Sequence, residues 1–322
     1  MAEQLPRGAQ FQRSKMLWEI ALGIAGDPSI KYYEDRDVSI VIGNGSGEAF
    51  TPALRMAPGS PALAHAVAKG DLDLAFVNPS AMLTQAYRGT GLYTQPLPVR
   101  VVASYPSWDR VVAAVQPRLG VTSLAEVAER RMPVRVSVRE DATHSTRVLL
   151  DQLLPLYGFT LADFEAWGGS LQLNGPPGDS RRLDGIRDGT IDIVFDEGIP
   201  TWLDTALEHG MKPLQLEDEI LAKMEAIGWR TVVLPKDRYP LLDADVRTID
   251  YSGWPLYTRA SFPDEMAYKV CAAIAERAEF IRWEERSFTG IEQIGTETDA
   301  TPLDVPLHPG AERWYREHGF IK

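Results

Sequence analysis

Along residues 134–154, Val134, Val136 and Val138 alternate with Arg135, Ser137 and Arg139 at the two-residue period of a strand, and Val148, Leu149 and Leu153 then follow at helical spacing. The polar run Asp141-Ala142-Thr143-His144-Ser145-Thr146 between them predicts a loop that opens a helix, with Ser and Thr as its cap. A helix start placed behind a strand offers unpaired N–H groups and a positive dipole end, a seat for an anion. The same residues are also what any well-capped helix needs.

The pattern elsewhere is similar. Met16, Leu17, Ile20 and Ile24 predict an amphipathic helix over 11–26, and Val38 to Ile42 a short buried strand running into Gly43-Asn44-Gly45-Ser46-Gly47. A helix over 60–69 then leads to GDLDLAFVNPS, and much later RRLDGIRDGTIDIVFDEGIP repeats that plan. Gly70 aligns with Gly189, Asp73 with Asp192 and Phe76 with Phe195, a constant offset of 189 − 70 = 119 positions. Such an offset suits two similar lobes rather than a solenoid. Strands alternating with helices predict an α/β chain of mostly parallel sheets flanked by helices, with ligands beyond the strand ends. Residues 100–115 and 246–259 predict strands that cross between the lobes, and Pro263 opens a long helix. The expected division is lobe I, 1–113 plus 253–322, and lobe II, 114–252.

Composition narrows the function. The 322 residues are 44% hydrophobic and 24% charged, ordinary for a globular chain. The net charge of −12 and the lack of a basic run argue against nucleic acid as a partner. Cys271, alone in the sequence, lies among Val270, Ile274 and Ala275 and is expected in the core. No stretch reaches the roughly 18 apolar residues of a membrane helix, so direct membrane insertion is not expected. Glu3 and Glu19 break the order of a secretory signal, so the expected location is cytoplasmic if Met1 is the native start, and periplasmic if a signal has been trimmed. GNGSG lacks the G-x-G-x-x-G spacing, and no acidic residue follows at the ribose-binding distance, so no nucleotide cofactor is expected. No H-E-x-x-H or similar spacing predicts a metal.

GDLDLAFVNPSA, EDATHSTRVLLDQLL, the strand followed by PDEMAYKV, and the closing PLHPGAERWYREHG together resemble the TAXI solute-binding receptors of tripartite (TRAP) transporters, over roughly residues 36–319. The resemblance implies a two-lobed periplasmic-binding-protein-like (type II) fold with a ligand cleft between the lobes, and TRAP membrane subunits as partners if the chain is exported. The ligand expected from the residues themselves is a small carboxylate or zwitterion, since the helix start at Thr143–Thr146 invites a carboxylate and Asp196-Glu197 a cation. Two features depart from that family. Its usual opening strand and glycine-rich loop are replaced by RGAQFQ, and a loop that is commonly small and neutral is here Asp196-Glu197.

The candidate ligand-binding residues are Asn44, Ser46, Asn78, Ser80, Thr143, Ser145 and Thr146, short donors and acceptors at strand ends. Turn and cap chemistry uses the same residue types. His144 and Arg147 are candidates to meet a carboxylate. Asp196 and Glu197 are candidates to hold an ammonium group, or alternatively to cap a helix near Pro200. Trp254, with Trp202, Tyr105 and Trp108, is a candidate apolar wall or packing. No catalytic residue is assigned, because the proximity of Asp141, His144 and Ser145 in sequence does not establish a triad. The favoured reading is a binding protein. The alternatives are a cytoplasmic decarboxylase or lyase of a small aromatic or carbocyclic acid, or a ligand sensor on the same fold.

Overall fold

The computed structural model describes residues 37–39, 41–43, 49–50, 52–55 and 61–322, with side chains described at Val41 and from Leu63 onward. The helix expected over 11–26 and the Asn44–Ser46 corner lie outside the described residues.

Strands β1 (Asp37–Ser39), β2 (Ile42–Gly43), β3 (Ala49–Phe50), β4 (Pro52–Arg55), β5 (Leu74–Phe76) and β6 (Val99–Tyr105) precede the first crossing. After it come β7 (Arg110–Val115), β8 (Arg135–Arg139), β9 (Ser170–Asn174), β10 (Ile193–Asp196), β11 (Lys212–Pro213), β12 (Thr231–Leu234) and β13 (Val246–Asp250), and β14 (Trp254–Arg259) returns. One sheet has the order β1-β4-β5-β14-β6; the other has β12-β13-β7-β10-β8-β9, with β11 also on β7. Helices flank both: α1 (Pro61–Lys69), α2 (Ser80–Arg88), α3 (Leu124–Arg130), α4 (Ser145–Leu153), α5 (Leu161–Ala166), α6 (Ser180–Arg187), α7 (Leu203–Glu208), α8 (Asp218–Ala226), α9 (Asp264–Glu276) and α10 (Pro309–Glu317). This is the expected two-lobed α/β plan.

The sheets are mixed, which corrects the expectation of mostly parallel ones. Among the described residues the parallel ladders are β4–β5, β8–β10 and β8–β9. These join strands linked through a helix, the connection that parallel pairing requires. The crossing strands run against their neighbours: β14 lies antiparallel to β5 and β6, and β7 antiparallel to β10 and β13.

The internal repeat is visible in this pairing. β5 sits between parallel β4 and antiparallel β14; β10 sits between parallel β8 and antiparallel β7. Gly70 and Gly189 turn the chain ahead of each strand at φ of 87° and 73°, a backbone region that only glycine enters without strain. The aspartate of each repeat then fixes an arginine from a neighbouring strand. Asp73 accepts from Arg259 Nη1 at 2.6 Å, and Asp192 accepts from Arg135 Nε at 2.9 Å.

The central strands β7 and β8 of the second sheet are buried on both faces. On β7, Val111, Ala113 and Val115 join one apolar cluster, while Val112 and Ala114 join another built around Trp108 and Trp202. On β8, Val136 and Val138 enter the first cluster, yet Ser137 and Arg139 on the opposite face are buried too. The alternation in VRVSVR therefore marks an apolar face and a buried polar face, not a solvent face.

The close of the chain shows why its His-Pro-Gly segment has a glycine. His308 caps α10 by accepting the Gly310 N–H at Nδ1, 3.2 Å away. A Cβ on Gly310 would lie 2.0 Å from the backbone oxygen of Asp264 at the start of α9. Gly310→Ala is expected to push these helices apart and cost about 1–3 kcal/mol, read as a lower urea midpoint at unchanged slope.

Candidate functional site

Two short segments join the sheets. Residues 106–109 run from β6 to β7, and residues 251–253 run from β13 to β14. They are hydrogen-bonded to one another: Tyr251 N donates to Asp109 O at 3.1 Å, Gly253 N to Ser107 O at 2.9 Å, and Asp109 N to Ser252 Oγ at 3.0 Å.

Three strand ends meet at these crossings. Behind β5, Asn78 is buried and its Nδ2 donates to Tyr251 O at 3.3 Å and Gly253 O at 3.1 Å, while Ser80 N donates to Ser252 O at 3.2 Å. Behind β8, the Ser145 hydroxyl bonds the Tyr251 hydroxyl, and Thr146 Oγ1 donates to the same oxygen at 3.2 Å. At the end of β10, Glu197 lies beside Asp109 of the first crossing. Side chains drawn from both sheets are thus held at one junction.

The cap of α4 is His144 rather than a hydroxyl residue. Its Nδ1 accepts the Thr146 N–H at 3.2 Å. Thr143 is exposed and turned to its own loop, donating from Oγ1 to Asp141 Oδ1 at 2.8 Å. Arg147 donates from Nη1 to Arg139 O at 2.8 Å. Trp254 is half-buried on β14, opposite Tyr105. Trp202 is 1% exposed inside the second cluster, and Tyr105 stacks on Trp283.

Asp196 and Glu197 sit in an ionic cluster. Arg139 Nε reaches Asp196 Oδ1 at 3.2 Å, its Nη2 bonds Glu197, and its Nη1 donates to Gly175 O at 2.7 Å. Arg182 pairs with Asp196, and both side chains are 0% exposed. Arg182 Nε also donates to Ser137 Oγ at 2.9 Å. The turn after β10 is capped by Asp109, which accepts from Gly198 N at 2.6 Å and Ile199 N at 3.3 Å. The capping role considered for Asp196 and Glu197 therefore belongs to a residue of the crossing.

The electrostatics follow from burial. Loss of water opposes the charge on Arg139, but Asp196 and Glu197 outweigh it and hold the guanidinium above its ordinary pKa. Burial, then the Glu197 carboxylate, raises Asp109 well above the usual carboxylate range. Burial and the neighbouring Arg139 and Arg182 push His144 well below the ordinary imidazole value. Burial, then Glu197, raises Tyr251.

His144 supplies a pH prediction with a definite sign. Its folded pKa is depressed, so the unfolded chain binds the extra proton first, and stability falls as pH drops below about 6.5. His144→Gln should flatten that slope and cost about 1 kcal/mol at alkaline pH through the weakened cap. Urea unfolding of both proteins at about pH 5 and about pH 8 measures the difference; parallel slopes would show that His144 is not buried in its neutral form.

Residues that the sequence did not single out complete the junction: Tyr251, Asp109, Arg139 and Arg182. Arg139 carried one faint signal, its place on the polar face of a strand beside two other polar positions.

The chain belongs to the NMT1-like family, whose model matches residues 51–319. Among solved structures it is similar to the alkanesulfonate-binding protein SsuA from Xanthomonas axonopodis pv. citri bound to MOPS, at 13% identity over 80% of this chain and 71% of that one, with a TM-score of 0.33. It is likewise similar to the periplasmic aliphatic sulphonate binding protein SsuA from Escherichia coli, at 14% identity over 81% and 70%, TM-score 0.33. A third is lactococcal OpuAC complexed with glycine betaine, at 11% identity over 80% and 82%, TM-score 0.35. Likeness at this distance carries no argument about the ligand.

Proposed function

We propose that this chain is a solute-binding protein that closes its two lobes on a small organic acid or amino acid, as a TAXI-type receptor of a TRAP transporter. The observation that supports it is the convergence of three strand ends, from both sheets, on two short crossings. A ligand touching both lobes would favour the closed arrangement by its differential affinity. A thermal-shift and calorimetric screen of carboxylates, sulfonates and amino acids tests this, with one saturable ligand as the expected result. A screen without any binder overturns it. The transport role further predicts an exported protein that co-purifies with TRAP membrane subunits.

A second reading, an enzyme acting on such an acid, draws on the buried Asp109–Glu197 pair beside His144, groups able to hold a proton. It predicts consumption of the acid during the same screen and loss of that turnover in His144→Ala with binding retained.

A further inference from the structure

Besides the two crossings, a third contact joins the halves of the molecule. Helix α2 follows β5 of the first sheet and α4 follows β8 of the second. Met82, Leu83 and Ala86 of α2 share one apolar cluster with Leu149 and Leu153 of α4 and with Trp229, which lies ahead of β12. Two side-chain amides pair reciprocally between the helices: Gln85 Nε2 donates to Gln152 Oε1 at 3.2 Å, and Gln152 Nε2 to Gln85 Oε1 at 3.3 Å. Trp229 Nε1 also donates to Gln152 Oε1, at 2.6 Å. Gln85 is 0% exposed and Trp229 2%, so neither polar group has water to turn to while the halves are together.

The backbone around this pair fits closely. A Cβ on Gly228 would lie 3.1 Å from Gln85 Cγ, and one on Gly91 would lie 2.0 Å from Gln85 Oε1 and 3.1 Å from Gln152 Nε2. Two glycines, one from each half, thus leave the room that the amides occupy. Thr90 Oγ1 donates to Ile227 O at 2.7 Å. Arg230 extends the contact, with Nη1 donating to Asp304 Oδ1 at 3.0 Å and Nη2 to Glu297 Oε1 at 2.7 Å. Arg230 leads into β12 of the second sheet, whereas the segment holding Asp304 runs on to lie along the first, where Leu307 bridges Val101 of β6. One short segment of the second half, residues 227–230, is therefore met by Gln85, Thr90, Glu297 and Asp304 of the first.

We propose that residues 227–230 and the Gln85–Gln152 pair form a latch that keeps the two halves closed on one another before any solute arrives. This goes beyond the solute-binding reading and does not rest on it. The bonds from Gln85, Thr90 and Arg230 across the contact exist only in the closed arrangement, and opening also splits the shared apolar cluster and exposes it to water. The closed arrangement is then the ground state, and a solute enters through the minor population in which the latch is undone. Breaking the amide pair acts against the closed arrangement alone. In Gln152→Leu the Gln85 amide and the Trp229 N–H are stranded when the halves are closed and reach water when they part, so the open fraction should rise at least about tenfold.

The test measures the separation of the halves in protein stripped of small molecules by dialysis and checked by native mass spectrometry. Spin labels are placed at Lys69→Cys on α1 and Glu165→Cys on α5, both exposed positions away from the latch, and the buried Cys271 stays unlabelled. Distances are read by pulsed electron paramagnetic resonance. The expected result is one narrow distance population with the latch intact, and a second, longer one in Gln152→Leu, Thr90→Val and Arg230→Gln. Thr90→Ser keeps its hydroxyl and should keep the narrow population alone. Cooperative thermal unfolding checks each variant, and Thr90 and Arg230 are only half-buried, so those two report even where Gln152→Leu does not fold. A long-distance population that dominates with the latch intact overturns the proposal, because the halves then part without any change to it. Unaltered narrow distances in every folded variant overturn it too, since the contact is then part of a fixed core. In both cases the solute-binding reading stands, its own screen deciding it.

Discussion

Replacing Arg182 with alanine is expected to lower the unfolding free energy by about 3–5 kcal/mol, the cost of leaving one half of a buried ion pair behind. Arg182 and its partner Asp196 are both fully buried, and the guanidinium also donates to Ser137 Oγ at 2.9 Å and Pro177 O at 2.8 Å. After the substitution Asp196 retains only Arg139, which it shares with Glu197. The double change Arg182→Met with Asp196→Leu should recover most of the loss, because no charge is then stranded. Urea unfolding of the two variants separates the cases. If both lose the same amount, the cost lies in packing and in the bonds to Ser137 and Pro177.

A comparable loss, about 3–5 kcal/mol, is expected for Trp202→Ala. The indole is 1% exposed within the cluster that also holds Trp108, Ile199 and Leu203, and its Nε1 donates to Glu197 O at 2.9 Å. Trp202→Phe keeps much of the buried area but drops the hydrogen bond, so it should cost less than the alanine and still exceed about 1 kcal/mol. Since that bond holds the backbone at Glu197, the Phe variant should also weaken whatever ligand the junction takes. Denaturant unfolding and calorimetry on the same preparations read the two effects separately. An unchanged affinity would show that the Glu197 backbone is fixed by its other contacts.

The parts of the fold that were legible in the sequence are those written in local pattern. The Gly-x-apolar-Asp repeat identified two equivalent strands because each needs a left-handed glycine before it and a carboxylate to fix a neighbour's arginine. The crossings were legible as strands mixed with aromatics. Strand direction was not, since alternation is the same for parallel and antiparallel neighbours. Of the polar corners read from the sequence, those at Asn78–Ser80, Ser145–Thr146 and Asp196–Glu197 lie at the crossings, and the Asn44–Ser46 corner lies outside the described residues. The buried charges there were not legible, because an arginine on the polar side of VRVSVR looks solvent-facing until a helix covers it, as the segment carrying Arg182 does here. The histidines were undervalued for a similar reason. His144 and His308 both cap helices through Nδ1, a role usually given to Ser, Thr, Asp or Asn.

Each crossing is held from both sides. Asn78 Nδ2 and the Ser80 amide, at the end of a strand of the first sheet, bond the carbonyls of Tyr251, Ser252 and Gly253, while Ser145 and Thr146 behind β8 bond the Tyr251 hydroxyl. Asp109 accepts the amides of Gly198 and Ile199, while Ser107 N donates to Ala300 O and Trp108 N to Ser287 Oγ. The two segments also meet each other, at Tyr251 N to Asp109 O and Gly253 N to Ser107 O. Exchange of the Tyr251 and Gly253 amide protons with solvent would report how often that seam opens.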